Sequence, residues 1–151
     1  MSSETPHPLR SLNSPRLTGR VRVPGDKSIS HRALMFGALA LGETVITGLL
    51  EGEDVLNTAK AMAALGVRLE RWNDDDSWHV NGVGIGGFQA PAQTIDFGNS
   101  GTGARLAMGL LATTPISARM SGDASLRSRP MGRIVTPLEA FGTRFETADG
   151  G

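Results

Sequence analysis

The chain has no cysteine and no tyrosine. Without thiols there is no disulfide, no thiolate metal site and no cysteine nucleophile, and the composition suits a reducing compartment. Aromatic residues are scarce, five phenylalanines and two tryptophans, so the core is expected to be aliphatic. Net charge is absent as well, because 15 Lys and Arg balance 15 Asp and Glu. Such a chain has no overall field to gather nucleic acid or acidic lipid, and any anion must be held by a local cluster. No apolar run approaches the roughly 20 residues that span a bilayer. These absences point to a cytoplasmic domain with no nucleic-acid and no membrane partner.

What is present divides the chain. Residues 1–16 are rich in serine and proline, contain Glu4 and lack an apolar signal core, which predicts a disordered leader. Residues 17–25 include Val21-Arg22-Val23, an alternating stretch stopped by Pro24-Gly25 that reads as a short strand or extended link. Residues 26–151 then alternate helical and strand patterns. Helices are predicted over Ser28–Leu41 with Gly42 as stop, Glu53–Leu65 with Gly66 as stop, Thr102–Leu111, and from Pro130 onward. Strands are predicted at Thr44–Thr47, in "VRLERW" and "SWHVNGV" around an "NDDD" turn, and at Thr94–Phe97, Ile116–Met120 and Thr143–Glu146. The fold class is α/β of the α+β type.

Two helix ends align. Ala63–Glu70 matches Glu139–Glu146 at four of eight positions, with the glycine stop in register. This suggests a unit of strand, helix, stop and strand used more than once. The second copy ends before the return strand that the first possesses, so the sequence reads as part of a larger protein.

Three strand-to-helix junctions carry the candidate chemistry. "PGDKSISHR" places Lys27, Ser28, Ser30, His31 and Arg32 at a helix start, where free N–H groups and the helix dipole favour an anion. Ser28 or Ser30 is a candidate cap, and a capped helix with solvated charges is the competing explanation. "FGNSGTGAR" runs from strand end to helix with Gly101 and Gly103 open to close backbone approach and Arg105 in the first turns. It lacks the Gly-Lys-Ser/Thr of a nucleotide loop, and taken by itself a tight strand-to-helix turn explains it better. "SLRSRPMGR" sets Arg127 and Arg129 before Pro130, opposing a helix dipole unless an anion is bound; a solvated basic turn is the alternative. Glu51, Glu53 and Asp54 fit a helix first turn, Asp74–Asp76 fit a hairpin tip, His31 reads as a surface or packing residue, and His79 lies in a strand pattern. His79 has no metal-ligand partner at useful spacing, and no metal site is expected.

Together "GDKSISHRALM", "GNSGTGAR" and "RPMGR" closely resemble, in the same order, the N-terminal part of the enolpyruvylshikimate-phosphate synthase family. The resemblance runs from about Leu17 to the end, and family members are much longer. It implies repeated βαβαββ units in each of two domains, with the second unit incomplete here and residues 17–25 hinging toward the other domain. It also implies a cytoplasmic, monomeric transferase with no cofactor. That enzyme moves the enolpyruvyl group of phosphoenolpyruvate to the 5-hydroxyl of shikimate 3-phosphate and releases phosphate, in aromatic amino-acid biosynthesis.

Carried over by motif, Lys27, Ser28 and Arg32 would bind shikimate 3-phosphate, with Lys27 also touching phosphoenolpyruvate as the catalytic candidate. Gly101 would offer its backbone to phosphoenolpyruvate, Arg129 would pair with its anionic groups, and Asn99 lies in the same loop. The family's catalytic carboxylates fall outside this sequence, so the chain alone is expected to be inactive and to need the remainder of the enzyme. Gly101 stands where some members insensitive to glyphosate carry alanine, which favours sensitivity. The "RPMGR" and "GLLEGEDV" stretches look like a tolerant bacterial subgroup instead. Two other readings are the related transferase acting on UDP-N-acetylglucosamine, against which the Lys-Ser-Ile-Ser-His-Arg run speaks, and a non-catalytic anion-binding or complementation module.

Overall fold

The computed structural model describes residues 8–14 and 16–147. Residues 1–7 and 15 of the expected leader lie outside the described residues. Residues 8–14 and 16–26 form neither helix nor strand. No strand forms at Val21–Val23, which leaves the extended-link reading of that stretch. The two valines are 89% and 75% exposed, so their alternation has no face to bury.

Helix α1 spans Lys27–Leu39. Its cap is neither of the expected serines but Asp26, whose carboxylate accepts from Ile29 N–H at 2.8 Å. Ser30 is buried and donates to the Asp26 carbonyl at 2.8 Å while accepting from Leu50 N–H at 3.0 Å, tying a later loop to the helix start. Gly25 is required by close approach rather than by a turn: a Cβ there would collide with the Gly48 carbonyl. The helix ends at Leu39, and Gly42, expected as its stop, lies in strand β1, Leu41–Thr47, at φ +84°.

Helix α2, Glu53–Ala64, carries Glu53 and Asp54 in its first turn. As expected, Gly66 ends it, at φ +93°, with Gly66 N–H bonded to Ala63 and Val67 N–H to Met62. A hairpin of β2, Arg68–Trp72, and β3, Ser77–Val83, comes next, with Asp76 in the left-handed region at the turn. β3 is central to an antiparallel sheet ordered β1-β3-β2.

The second half is built on shorter strands. β4, Ile95–Asp96, pairs in parallel with β5, Met120–Ser121. The strand expected from Ile116 therefore starts late, because β4 offers only two residues to pair with. Between them lies α3, Gly101–Leu111. After β5 come α4, Ala124–Arg127, and α5, Gly132–Glu139. The helix expected from Pro130 thus begins two residues later and is preceded by one that the sequence pattern did not predict. Gly142 closes α5 at φ +94°, with N–H bonds from Gly142 to Glu139 and from Thr143 to Leu138, the same arrangement as at Gly66. Residues 143–147 form no strand, since no strand among the described residues lies beside them.

One core joins the halves. Leu34, Met35 and Ala38 of α1 meet Val55 and Met62 of α2 and Val80 of β3, and the same cluster continues through Phe97, Ala104 and Leu126. Burying each large aliphatic side chain contributes roughly 1.5–3 kcal/mol. This core holds the N-terminal turns of α1, α2 and α3 against one another. Among the described residues no helix is long and apolar enough to cross a membrane.

Candidate functional site

The first turn of α1 presents Lys27, Ser28 and Arg32. Lys27 does not stand free; its Nζ lies 2.9 Å from Asp54 Oδ2 at the first turn of α2, an ion pair with the lysine side chain 53% exposed. The sequence pattern accounts for Asp54 as a helix-start residue but does not reveal this partner, 27 residues away. Ser28 is half-buried, and Arg32 is exposed with no ion pair among the described residues.

One turn further along α1, His31 is fully buried, and its Nδ1 lies 2.8 Å from Thr58 Oγ1 of α2. Burial pulls its pKa below the usual histidine value, the Asp54 charge opposing this and Lys27 and Arg32 adding to it. Thr58 is also the contact to α3, because a Cβ on Gly103 would lie 2.6 Å from its Oγ1. The starts of α1, α2 and α3 are thus neighbours.

At α3 the capping residue is Ser100, which accepts from Gly103 N–H at 3.3 Å. Gly101 is buried beneath two guanidinium groups: a Cβ on it would fall 2.7 Å from Arg129 Nη1 and 3.0 Å from Arg105 Nη1. Asn99 Oδ1 accepts from Arg129 Nη2, and Ser125 Oγ lies 3.2 Å from the same nitrogen. Asn99, Gly101 and Arg129 are therefore brought together, whereas the polar contact of Lys27 is Asp54. Arg127 does not oppose a dipole as expected; it sits in the last turn of α4, where a cation is favoured.

Arg105, which the motif reading places near the start of α3 without a substrate role, belongs to the same group. Together with Arg129, Pro130, Gly132 and Arg133 it lines an open concavity of about 360 Å³. Its Nε is a buried donor with no partner among the described residues. Burial, then the charges of Arg133 and Arg129, pull its pKa down. Three like charges near one helix start, with an unused donor, make a place where an anion relieves repulsion and completes a hydrogen bond. The signal available in the sequence was the spacing Gly101 to Arg105, one helical turn.

A carboxylate–histidine–hydroxyl chain also occurs on the sheet. His79 Nδ1 is 3.1 Å from Glu43 Oε1, and its Nε2 is 3.1 Å from Ser77 Oγ. Ser77 is fully buried and its hydroxyl donates to Asp75, and His79 stacks on Trp72 at 3.8 Å. No substrate reaches that hydroxyl, so the chain is structural. Among the described residues no cluster of His, Asp and Glu could hold a metal ion.

Known proteins supply an independent comparison. The sequence model of the family described as EPSP synthase (3-phosphoshikimate 1-carboxyvinyltransferase) matches residues 12–151. A 3-phosphoshikimate 1-carboxyvinyltransferase of Afipia carboxidovorans is 67% identical over 145 residues, covering 96% of this chain and 32% of the relative. One from Rhodopseudomonas palustris is 64% identical over 150 residues, covering 99% and 34%. The solved EPSP synthase of Acinetobacter baumannii superposes with a TM-score of 0.81 at 46% identity, over 88% of this chain and 30% of that one. The chain spans about a third of the length of the curated relatives it matches. With the family model extending over nearly all of its residues, this chain belongs to the EPSP synthase family.

Proposed function

We propose that the chain supplies one wall of a 3-phosphoshikimate 1-carboxyvinyltransferase site, which transfers the enolpyruvyl group of phosphoenolpyruvate to shikimate 3-phosphate and releases phosphate. The observation that carries this reading is the pair Arg105 and Arg129 over Gly101 at the start of α3, with Arg133 lining the same concavity as the pair. Phosphoenolpyruvate carries a carboxylate and a phosphate, and a fixed arginine binds such groups in bidentate fashion. Arg129 takes these anionic groups, the Gly101 N–H exchanges its 2.8 Å bond to the Asn99 carbonyl for substrate, and the Asn99 side chain aims the guanidinium. Lys27, Ser28 and Arg32 take shikimate 3-phosphate, Lys27 exchanging Asp54 for substrate and reaching toward phosphoenolpyruvate. Holding two anions in reactive contact, with cations matched to charge that develops during transfer, is the work of these residues.

The polypeptide that makes up the other two thirds of the relatives provides the proton-transfer carboxylates and the opposite wall, with residues 17–25 as the hinge between domains. The assembled enzyme works as a cytoplasmic monomer in aromatic amino-acid biosynthesis and uses no cofactor. The test is calorimetry with shikimate 3-phosphate and phosphoenolpyruvate on the 151-residue chain, alone and joined to a relative's remaining polypeptide, together with phosphate release. Binding that strengthens on joining, and turnover by the joined form only, is expected. Turnover by the chain alone, or no turnover by the joined form, overturns the reading.

A further inference from the structure

We propose that His31 is a positioning residue for Lys27, acting through Thr58 to set the register of α1 against α2. The proposal rests on the reading of Lys27 as a substrate-binding residue. Two rungs join the helices: Lys27 Nζ to Asp54 Oδ2 at 2.9 Å, and His31 Nδ1 to Thr58 Oγ1 at 2.8 Å. Lys27 and His31 are four apart on α1, Asp54 and Thr58 four apart on α2, so each rung lies one turn from the other.

The two rungs differ in kind. The outer pair is partly exposed and one of its limbs is a long lysine, and such pairs hold geometry weakly. The inner pair joins two residues of zero exposure, both with short side chains fixed by the core. The inner rung therefore sets the register and the outer one conforms to it.

Hydrogen-bond accounting gives the inner rung its direction. Thr58 Oγ1 donates to the Asp54 carbonyl at 3.3 Å, which uses its one proton. With that proton on the carbonyl, His31 is assigned as the donor through Nδ1–H, which leaves Nε2 as a lone-pair acceptor. Nε2 is the buried ring atom without a partner among the described residues, and an unpaired acceptor is better tolerated there than the unpaired N–H of the other tautomer. Thr58 also bears on α3 beside Gly103, so the same hydroxyl links the lysine side of the site to the arginine side.

The test compares His31→Leu, which keeps bulk and loses the donor, with His31→Asn, which restores an N–H near the Nδ1 position, and Thr58→Val, which removes only the hydroxyl. In solution NMR of the folded chain, His31→Leu and Thr58→Val are expected to lose the nuclear Overhauser contacts between the Lys27 Hε and Asp54 Hβ protons, and His31→Asn to keep them. Unchanged contacts in either of the first two overturn the proposal; should His31→Leu fail to fold, Thr58→Val carries the test.

A second arm measures shikimate 3-phosphate affinity in the joined enzyme. His31→Leu is expected to weaken binding about tenfold, and by less than about twofold in a Lys27→Met background. Equal losses in both backgrounds mean that His31 is merely structural. If Lys27→Met leaves affinity unchanged, the functional reading fails, while the contacts to Asp54 still decide the positioning role.

Discussion

Asn99 holds Arg129. Its side-chain oxygen accepts from Arg129 Nη2, and its amide nitrogen donates to Asp123 Oδ2 at 2.7 Å. Asp123 in turn caps α4, accepting from Leu126 N–H at 2.7 Å, and the Asn99 bond, with the Leu126 bond second, holds its carboxyl below the usual aspartate range. A neutral amide thus stands between an acid and a base, fixing the guanidinium without neutralising it. Asn99→Ala is expected to weaken phosphoenolpyruvate about tenfold in the joined enzyme and leave shikimate 3-phosphate unaffected. Equal losses for both ligands in calorimetry would speak against this role.

Gly101 lies under two guanidinium tips, 2.7 and 3.0 Å from where a Cβ would sit. Those tips belong to flexible chains, so Gly101→Ala is expected to displace Arg129 and Arg105 with stability changed by less than about 1 kcal/mol. The displaced tips should raise the KM for phosphoenolpyruvate and reduce glyphosate inhibition by a larger factor. An inhibition curve on the joined enzyme checks this, and equal factors would exclude it.

Gly103 tolerates no such adjustment. A methyl there would lie 2.6 Å from Thr58 Oγ1 and 2.7 Å from Ser100 Oγ, both in fully buried residues. Overpacking of this sort costs roughly 1–3 kcal/mol, against a gain of up to about 1 kcal/mol in helix propensity. Gly103→Ala should lower the urea midpoint of the chain; an unchanged or higher midpoint would refute the contact.

His31 makes stability depend on pH with a definite sign. Burial lowers its folded pKa, so the unfolded chain, near 6.5, binds the proton first. The contribution is complete above about pH 6.5 and is lost as pH falls through the lower folded value. Urea unfolding of the chain and of His31→Asn between about pH 7.5 and 5, spanning the ordinary histidine range, should show a steeper decline in the parent. Parallel curves would contradict the assignment.

Local signals were legible in the sequence and non-local ones were not. Gly66 announced a helix stop, and alternating residues on either side of Asp74–Asp76 announced the hairpin. Asp26, Ser28 and Ser30 are all good capping residues, and only the backbone at Ile29 decides for Asp26. Helix α4 has four residues, too few for a periodic pattern, although Asp123 before it was a usable cap signal. Lys27 with Asp54, and Arg105 with Arg129, meet only because α1, α2 and α3 pack on a shared core. The motif residues Asn99 and Gly101 are neighbours in the structure of Arg129, which comes from a separate motif further along the chain.

Gly66 and Gly142 end two helices with the same pair of backbone bonds, each closing over no more than five residues. Bonds so short in span cost little loop entropy, so both stops can form while the chain is still largely open. The segments beyond the two glycines obey a different rule. Residues 68–72 become a strand only when β3 returns across a turn of four residues, whereas residues 143–147 remain irregular. The two kinds of element thus differ in what they depend on: the helix ends close on local bonds, and the strand at 68–72 requires a partner that returns from further along the chain.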